Sequence, residues 1–216
     1  MVAVAEFAPP HLRVTPSGVS ESWAGDVFEM ADLVGFELDP WQRLVVEGAC
    51  GVRHDGRWAA KEVGVNVPRQ NGKGGILEVV ELTALFTWLP RQVSQGEKLV
   101  IHSAHEFITA TKHFDRIWAL VEDTPELLRR VKGGRRNRSH GSEGWVTMDG
   151  CKLEFRTRTK GGGRGFSCDL LVLDEAMFLP EQAMGALLPT LRARPNPQIW
   201  YTGSAVDQEV HGLSRR

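Results

Sequence analysis

From Val63 to Ile76 the chain reads Val-Gly-Val-Asn-Val-Pro-Arg-Gln-Asn-Gly-Lys-Gly-Gly-Ile, the segment that most restricts what this sequence can fold into. Val63, Val65 and Val67 alternate with Gly64 and Asn66, the period of two that marks a strand. Pro68 to Gly75 break that period, and Ile76 to Trp88 form a long apolar-rich helix closed by Pro90. The later sequence repeats the same order. Lys98 to Ser103 reads as a strand, and residues 106–122 read as a helix with Phe107, Ile108, Phe114, Ile117, Trp118 and Val121 at helical spacing. Leu170 to Leu173 is an apolar run expected to be a buried strand; residues 180–191 read as a helix and Gln198 to Thr202 as a last strand. Strands alternating with helices in this way predict an α/β fold, a parallel sheet covered on both faces.

Elsewhere the signals are local. Residues 1–26 contain no periodic segment and are expected to form an irregular arm, followed by a short helix over 27–35 that stops at Gly35. Asp39 is placed to cap, and Pro40 to begin, a helix running through Ala49; residues 51–57 read as a polar turn. Residues 129–144 are basic and glycine-rich, a loop by composition. Asp149-Gly150, between Trp145–Met148 and Lys152–Thr157, is a strong hairpin signal. The length, 216 residues, suits one sizeable domain, and no apolar run approaches the ~18 residues of a membrane span. Met1 to Pro10 lacks the basic start of a secretory signal. Cys50, Cys151 and Cys168 are far apart and follow no metal-binding spacing, which points to reduced thiols.

Two segments carry chemistry. A loop that leaves a buried strand and enters a helix directs several backbone N–H groups and the helix's positive end at one point, a geometry that binds phosphate. Gly72, Gly74 and Gly75 permit close backbone approach, and Lys73 can place a full charge on the β- and γ-phosphate oxygens. As a pattern this is a degraded GxxxxGK[ST]: Val67 stands at the first glycine, and Gly74 at the hydroxyl residue that would ligate Mg²⁺. The second segment is Leu170-Leu-Val-Leu-Asp-Glu175, four apolar residues followed by two carboxylates at a strand's C-terminal edge, where open α/β sheets bind their ligands. Asp174 would hold Mg²⁺, directly or through water, and Glu175 would polarise the attacking water as general base. Together the two segments point to a nucleoside triphosphatase.

The sequence resembles the ATPase domain of the large terminase subunit of tailed double-stranded DNA phages, over roughly Leu33 to the C-terminus. The resemblance rests on Leu38-Asp-Pro-Trp-Gln42, Val67-Pro-Arg-Gln-Asn-Gly-Lys73, Leu170-Leu-Val-Leu-Asp-Glu-Ala176 and Tyr201-Thr-Gly-Ser-Ala205, in that order. It implies a P-loop NTPase of the additional-strand (ASCE) type over 27–216, with a mainly parallel central sheet flanked by helices and an inserted β-hairpin in the basic excursion 129–165. Pro68, Arg69, Gln70, Asn71, Gly72, Lys73, Gly74 and Gly75 become its deviant Walker A loop, with Arg69 facing the γ-phosphate. Trp41 and Gln42 become the adenine-contacting segment, Gln42 reading the base edge. Thr202, Gly203 and Ser204 resemble the motif that couples hydrolysis to motion, on the strand beside the Walker B strand. The family also uses an arginine finger from a neighbouring subunit. Arg164, in the glycine-rich loop before the Walker B strand, is favoured over Arg158 and Arg156. Implied cofactors are ATP and Mg²⁺. Implied partners are double-stranded DNA, the portal ring and procapsid, the small terminase subunit, and further copies in a ring (a pentamer), all in the host cytoplasm.

Charge distribution bears on the DNA partner. The chain has 26 basic and 27 acidic residues, a net charge of −1 that by itself argues against nucleic acid. Residues 129–164, however, hold eleven basic and three acidic residues, a local +8 that leaves −9 on the remainder. A basic, glycine-rich excursion on an acidic body is the footprint of sequence-independent backbone contact. Arg129, Arg130, Lys132, Arg135, Arg136 and Arg138 are its candidate DNA contacts. Only Asp207 and Glu209 follow Thr202 as carboxylates, so the family's metal-dependent nuclease is not expected from this chain. Two other readings stay open. One is a helicase-like DNA-dependent ATPase, which would need a second lobe. The other is a degenerate nucleotide-binding module without turnover, favoured by Gly74 and opposed by Glu175.

Overall fold

Where one face of a strand meets a core and the other meets water, burial alternates; where both faces are covered, burial is continuous. Both patterns occur in the computed structural model of the chain, which describes residues 9–68, 70–92, 96–139, 143–157, 167–179, 191 and 193–204. The chain enters through a two-residue strand β1 (Glu21–Ser22), helix α1 (Ala24–Leu33), helix α2 (Pro40–Ala49) and a short strand β2 (Gly51–Val52). Strand β3 (Glu62–Asn66) leads to helix α3 (Lys73–Thr83), which continues through a π turn at Ala84–Trp88 to a last turn at Leu89–Arg91. Then come β4 (Lys98–Ala104), α4 (Phe107–Glu122), α5 (Pro125–Leu128), β5 (Gly144–Val146), β6 (Cys151–Thr157), β7 (Leu170–Leu173) and β8 (Gln198–Gly203).

Six strands form the central sheet in the order β3-β8-β7-β4-β6-β5. Every neighbouring pair is parallel except β5 and β6, which form the expected antiparallel hairpin around Asp149-Gly150. Strand β8 lies between β3 and β7, the arrangement of an additional-strand P-loop fold. At the edge, β3 buries Val63 and Val65 and exposes Glu62, Gly64 and Asn66, whereas β7 at the centre is buried throughout.

Alternation sorts the sheet into two cores. Val100, Leu170, Val172 and Trp200 face α1 to α4, in a core that also holds the edge-on ring contacts of Trp23, Trp58 and Trp88. Leu99, Ile101, Leu171, Leu173 and Ile199 face the other way, against Leu179 and Leu191. Gln198 ties the sheet to the N-terminal layer: its Nε2 donates to the Ala49 and Ala60 carbonyls, and its Oε1 accepts from Trp200 Nε1.

The structure corrects the N-terminal boundary. Residues 1–26 are not uniformly irregular, because β1 pairs antiparallel with β2 and α1 begins at Ala24. A two-residue strand carries no periodicity, and the segment read as a polar turn supplies its partner through Gly51 and Val52. The helix expected over 180–191 lies outside the described residues apart from Leu191. Among the described residues no helix is long and apolar enough to cross a membrane.

Candidate functional site

The glycine-rich loop follows β3, and α3 begins at Lys73 with no side chain capping its first turn. Its leading N–H groups are therefore directed outward, the condition for binding an anion there. Gly72 has φ of +73°, a left-handed turn that favours glycine. At Gly75 a Cβ would lie 2.2 Å from the Phe36 ring, so the first turn of α3 packs flush on that ring only because residue 75 has no side chain. Gln70 also has positive φ, and with Pro68, Asn71 and Gly72 it is exposed.

Strand order brings three remote side chains to this loop. The Lys73 ammonium donates to Asp174 Oδ1 at 2.6 Å, across 101 residues of sequence. Thr202 Oγ1, fully buried at the end of β8, donates to the same oxygen at 2.6 Å. The backbone of Asp174 extends the β7–β4 ladder through its N–H to the Ser103 carbonyl. Burial would raise the Asp174 carboxyl, but the Lys73 charge and hydrogen bond and the Thr202 hydroxyl outweigh it, holding the group down to about 2 from its ordinary 3.8. Asp174 is therefore a carboxylate at neutral pH, and it fits the magnesium-holding role. Gly74 offers no ligand atom. Glu175 follows in a left-handed conformation, φ 53°, with its N–H donating to Asp174 Oδ1. Such a conformation at a non-glycine residue stores strain and is concentrated at functional positions.

The loop is further tied to α2 and β8. Gln42 Oε1 accepts the Asp39 N–H at 2.7 Å, completing a capping box, and its Nε2 donates to the Gly72 carbonyl at 2.9 Å. Gln42 is thus buried between the start of α2 and the phosphate loop, while Trp41 is partly buried against the core. Val67 N–H donates to the Gly203 carbonyl, and Ser204 is buried beside it. Trp41, Gln42, Gln70 to Gly75, Asp174, Glu175 and Thr202 to Ser204 accordingly gather along one edge. Arg69, Arg158 and Arg164 lie outside the described residues. Arg156 sits on β6, paired with Glu154 at 2.6 Å.

One cluster of ionisable groups was not legible beforehand. Glu81 on α3 is fully buried between His102 of β4 and His113 of α4, with Oε1 to His102 Nδ1 at 2.7 Å and Oε2 to His113 Nε2 at 2.8 Å. Burial would raise the Glu81 carboxyl, but the two imidazoles outweigh it and hold it down to about 2. His102 is pushed below its ordinary value, first by burial and then by the charge of His113. The ligand atoms of the three residues lie within 4.8 Å of one another, yet the rings are stacked at 3.9 Å with planes 15° apart. An imidazole lone pair lies in the ring plane, and no single point serves two nearly parallel planes this far apart. The cluster is a hydrogen-bonded one and not a metal centre. Nothing marks it in the sequence, since Glu81, His102 and His113 come from three elements without a shared spacing.

The basic excursion divides into two kinds of arginine. Arg136 stacks on Phe114 and Trp118 and pairs with Asp115 at 2.7 Å, its side chain only 16% exposed. Arg130 donates to the Phe86 carbonyl and to Asp149. Arg129, Lys132, Arg135 and Arg138 are exposed, Arg138 lying 3.3 Å from Asp115. Of the six candidate DNA contacts, four are exposed and two, Arg130 and Arg136, are engaged within the protein.

Solved structures share this fold. The HK97 bacteriophage large terminase superposes with a TM-score of 0.70 at 18% identity, over 90% of this chain and 40% of its own. The fold is that of a phage large-terminase ATPase domain. The large-terminase ATPase domain of Thermus phage P74-26 matches at TM-score 0.54 and 21% identity, over 90% of this chain and 72% of its own. The large terminase of the thermophilic bacteriophage D6E matches at TM-score 0.54 and 10% identity, over 73% and 37%. The chain spans about two-fifths of the HK97 protein's length. No family model and no curated protein matches the sequence.

Proposed function

We propose that this chain is an ATP-hydrolysing motor domain of a viral terminase large subunit, driving double-stranded DNA into a procapsid. The observation that carries the reading is the meeting, at the mouth of the glycine loop, of Lys73 at the start of α3, Asp174 just after β7 and Thr202 on the neighbouring strand β8. In this reading the N–H groups at the start of α3 and Lys73 bind the β- and γ-phosphates of ATP, with Arg69 on the γ-phosphate. Asp174 would hold Mg²⁺, which when bound neutralises charge on the phosphate oxygens. Glu175 takes the proton of the attacking water as it forms a bond to the γ-phosphorus, and ADP leaves with the broken phosphoanhydride oxygen. Gln42 acts on the adenine side of the site through the loop, which it holds by its bond to the Gly72 carbonyl. Thr202 to Ser204 transmit the change in charge at Asp174 to β8, because Thr202 shares an oxygen of that carboxylate with Lys73.

The remaining roles follow from the family resemblance: a ring of copies with Arg164 acting across the interface, a portal ring and procapsid, and a small terminase subunit. DNA is held through Arg129, Lys132, Arg135 and Arg138. For four phosphate contacts, affinity should fall about 10²-fold between 50 and 200 mM salt. A flat salt profile would remove DNA from the proposal. The decisive experiment is Glu175→Ala, expected to abolish ATP hydrolysis while keeping ATP binding. Mixing it with Arg164→Ala should restore turnover if the finger acts between subunits. If the wild-type chain binds ATP but shows no turnover with DNA and portal ring present, a binding module without hydrolysis is the correct reading.

A further inference from the structure

Gly74 stands where the phosphate-loop pattern carries a hydroxyl that holds Mg²⁺. The space beside it is not open: a Cβ at this position would lie 2.8 Å from Nη2 of Arg116, a residue of α4. Two groups hold that guanidinium. Its Nε donates to Glu78 Oε1 at 2.6 Å, one turn along α3 from Gly74, and Nη2 lies 3.3 Å from His113 Nδ1. His113 is held in turn by the buried cluster, its Nε2 2.8 Å from Glu81 Oε2. The Arg116 side chain is nonetheless 54% exposed, and among the described residues its Nη1 has no partner. A guanidinium has donors only and keeps its charge at every physiological pH. At the corner where the pattern would present a metal-holding oxygen, this chain presents a fixed cation with an exposed edge.

We infer that Arg116 is a phosphate-binding residue of the nucleotide site, covering the β/γ-phosphate side of the α3 N-terminus where Gly74 has no side chain, so that triphosphate binding depends only weakly on Mg²⁺. This rests on the nucleotide reading of the site above. Gly74 and Arg116 are then one device: the absent side chain admits the guanidinium, and the guanidinium supplies charge that the missing metal ligand does not.

The test is binding of a fluorescent N-methylanthraniloyl ATP to the full chain, with Mg²⁺ and with EDTA. For wild type the dissociation constant should change less than about threefold on removing Mg²⁺. Arg116→Ala should weaken binding about tenfold or more in EDTA, the scale of a lost charge-assisted hydrogen bond, and clearly less with Mg²⁺ present. Arg116→Lys should recover part of that loss, keeping the charge without the fork. Gly74→Ser should displace the guanidinium and make binding Mg²⁺-dependent. Because it keeps both Arg116 and Glu78 in the chain, it carries the test even if Arg116→Ala is insoluble. Wild-type binding that is lost in EDTA overturns the inference. So does a loss in Arg116→Ala that is equal in both buffers, which would mark a structural role, or Gly74→Ser binding that matches wild type in EDTA. Wild-type chain that binds the analogue in neither buffer overturns the nucleotide reading itself.

Discussion

Two ionic clusters flank α3, and they differ in what surrounds them. At its start, Lys73, Asp174 and Thr202 meet at the sheet edge with the lysine side chain 20% exposed. About two turns further on, Glu81, His102 and His113 meet with side chains 0–1% exposed. The first cluster joins a partly exposed cation to a carboxylate at the mouth of a loop, where its bonds can exchange for bonds to a ligand. The second is sealed between α3, α4 and β4, and its groups can exchange with nothing. Charge near water serves chemistry, and charge away from water fixes geometry, because removing one member there leaves the others buried and unpaired. Arg116 lies between the two, bonded to His113 on one side and adjacent to Gly74 on the other.

The comparison breaks if the clusters respond alike to substitution. The largest effect is expected at the sealed one: Glu81→Ala should lower stability by about 3–5 kcal/mol in urea unfolding, leaving nucleotide affinity of the folded fraction nearly unchanged. Lys73→Ala should do the opposite, reducing ATP turnover about 10²–10³-fold with a small change in the urea midpoint. If Lys73→Ala unfolds the chain, the edge cluster is a structural one.

Acid should separate the clusters further. Asp174 is held down to about 2 from 3.8, so the stability it contributes, about 2 kcal/mol, is complete above pH 3.8 and is lost as pH falls towards 2. His102 is also depressed from 6.5, so unfolding takes up a proton that the folded ring resists, and stability begins to fall once pH drops through 6.5. Unfolding free energy measured against pH should therefore decline first through the buried imidazole, and His102→Gln should flatten that first part of the curve alone. The smallest effect is Thr202→Val, which removes one hydroxyl bond to Asp174 and should cost about 1 kcal/mol. An unchanged acid profile in that variant would mean that Thr202 does not share in holding the carboxylate.

The edge cluster was legible because its pieces announce themselves locally. A strand followed by glycines and a lysine, and four apolar residues followed by Asp174-Glu175, each imply a place on a parallel sheet before any coordinates exist. Hairpin β5–β6 was equally legible from Asp149-Gly150. The pairing of β1 with β2 was not, since two residues have no period and the pair is made by Glu21 with Val52 and Ser22 with Gly51, about thirty residues apart. Nor did the run of arginines show which of them face water. Arg136 and Arg130 look like their neighbours in sequence, but Phe114, Trp118 and Asp115 claim one, and Phe86 and Asp149 the other.

By itself, then, the sequence determined the alternation of strands and helices, the glycine-rich loop between a strand and a helix, and the carboxylates at a strand end, because periodicity and backbone chemistry act within a few residues. Only the tertiary structure decided that Thr202 and Lys73 share one oxygen of Asp174, that Glu81 is enclosed by two histidines, and that Arg116 fills the corner beside Gly74. Those contacts are set by strand order and helix packing, which bring together residues with no spacing in common.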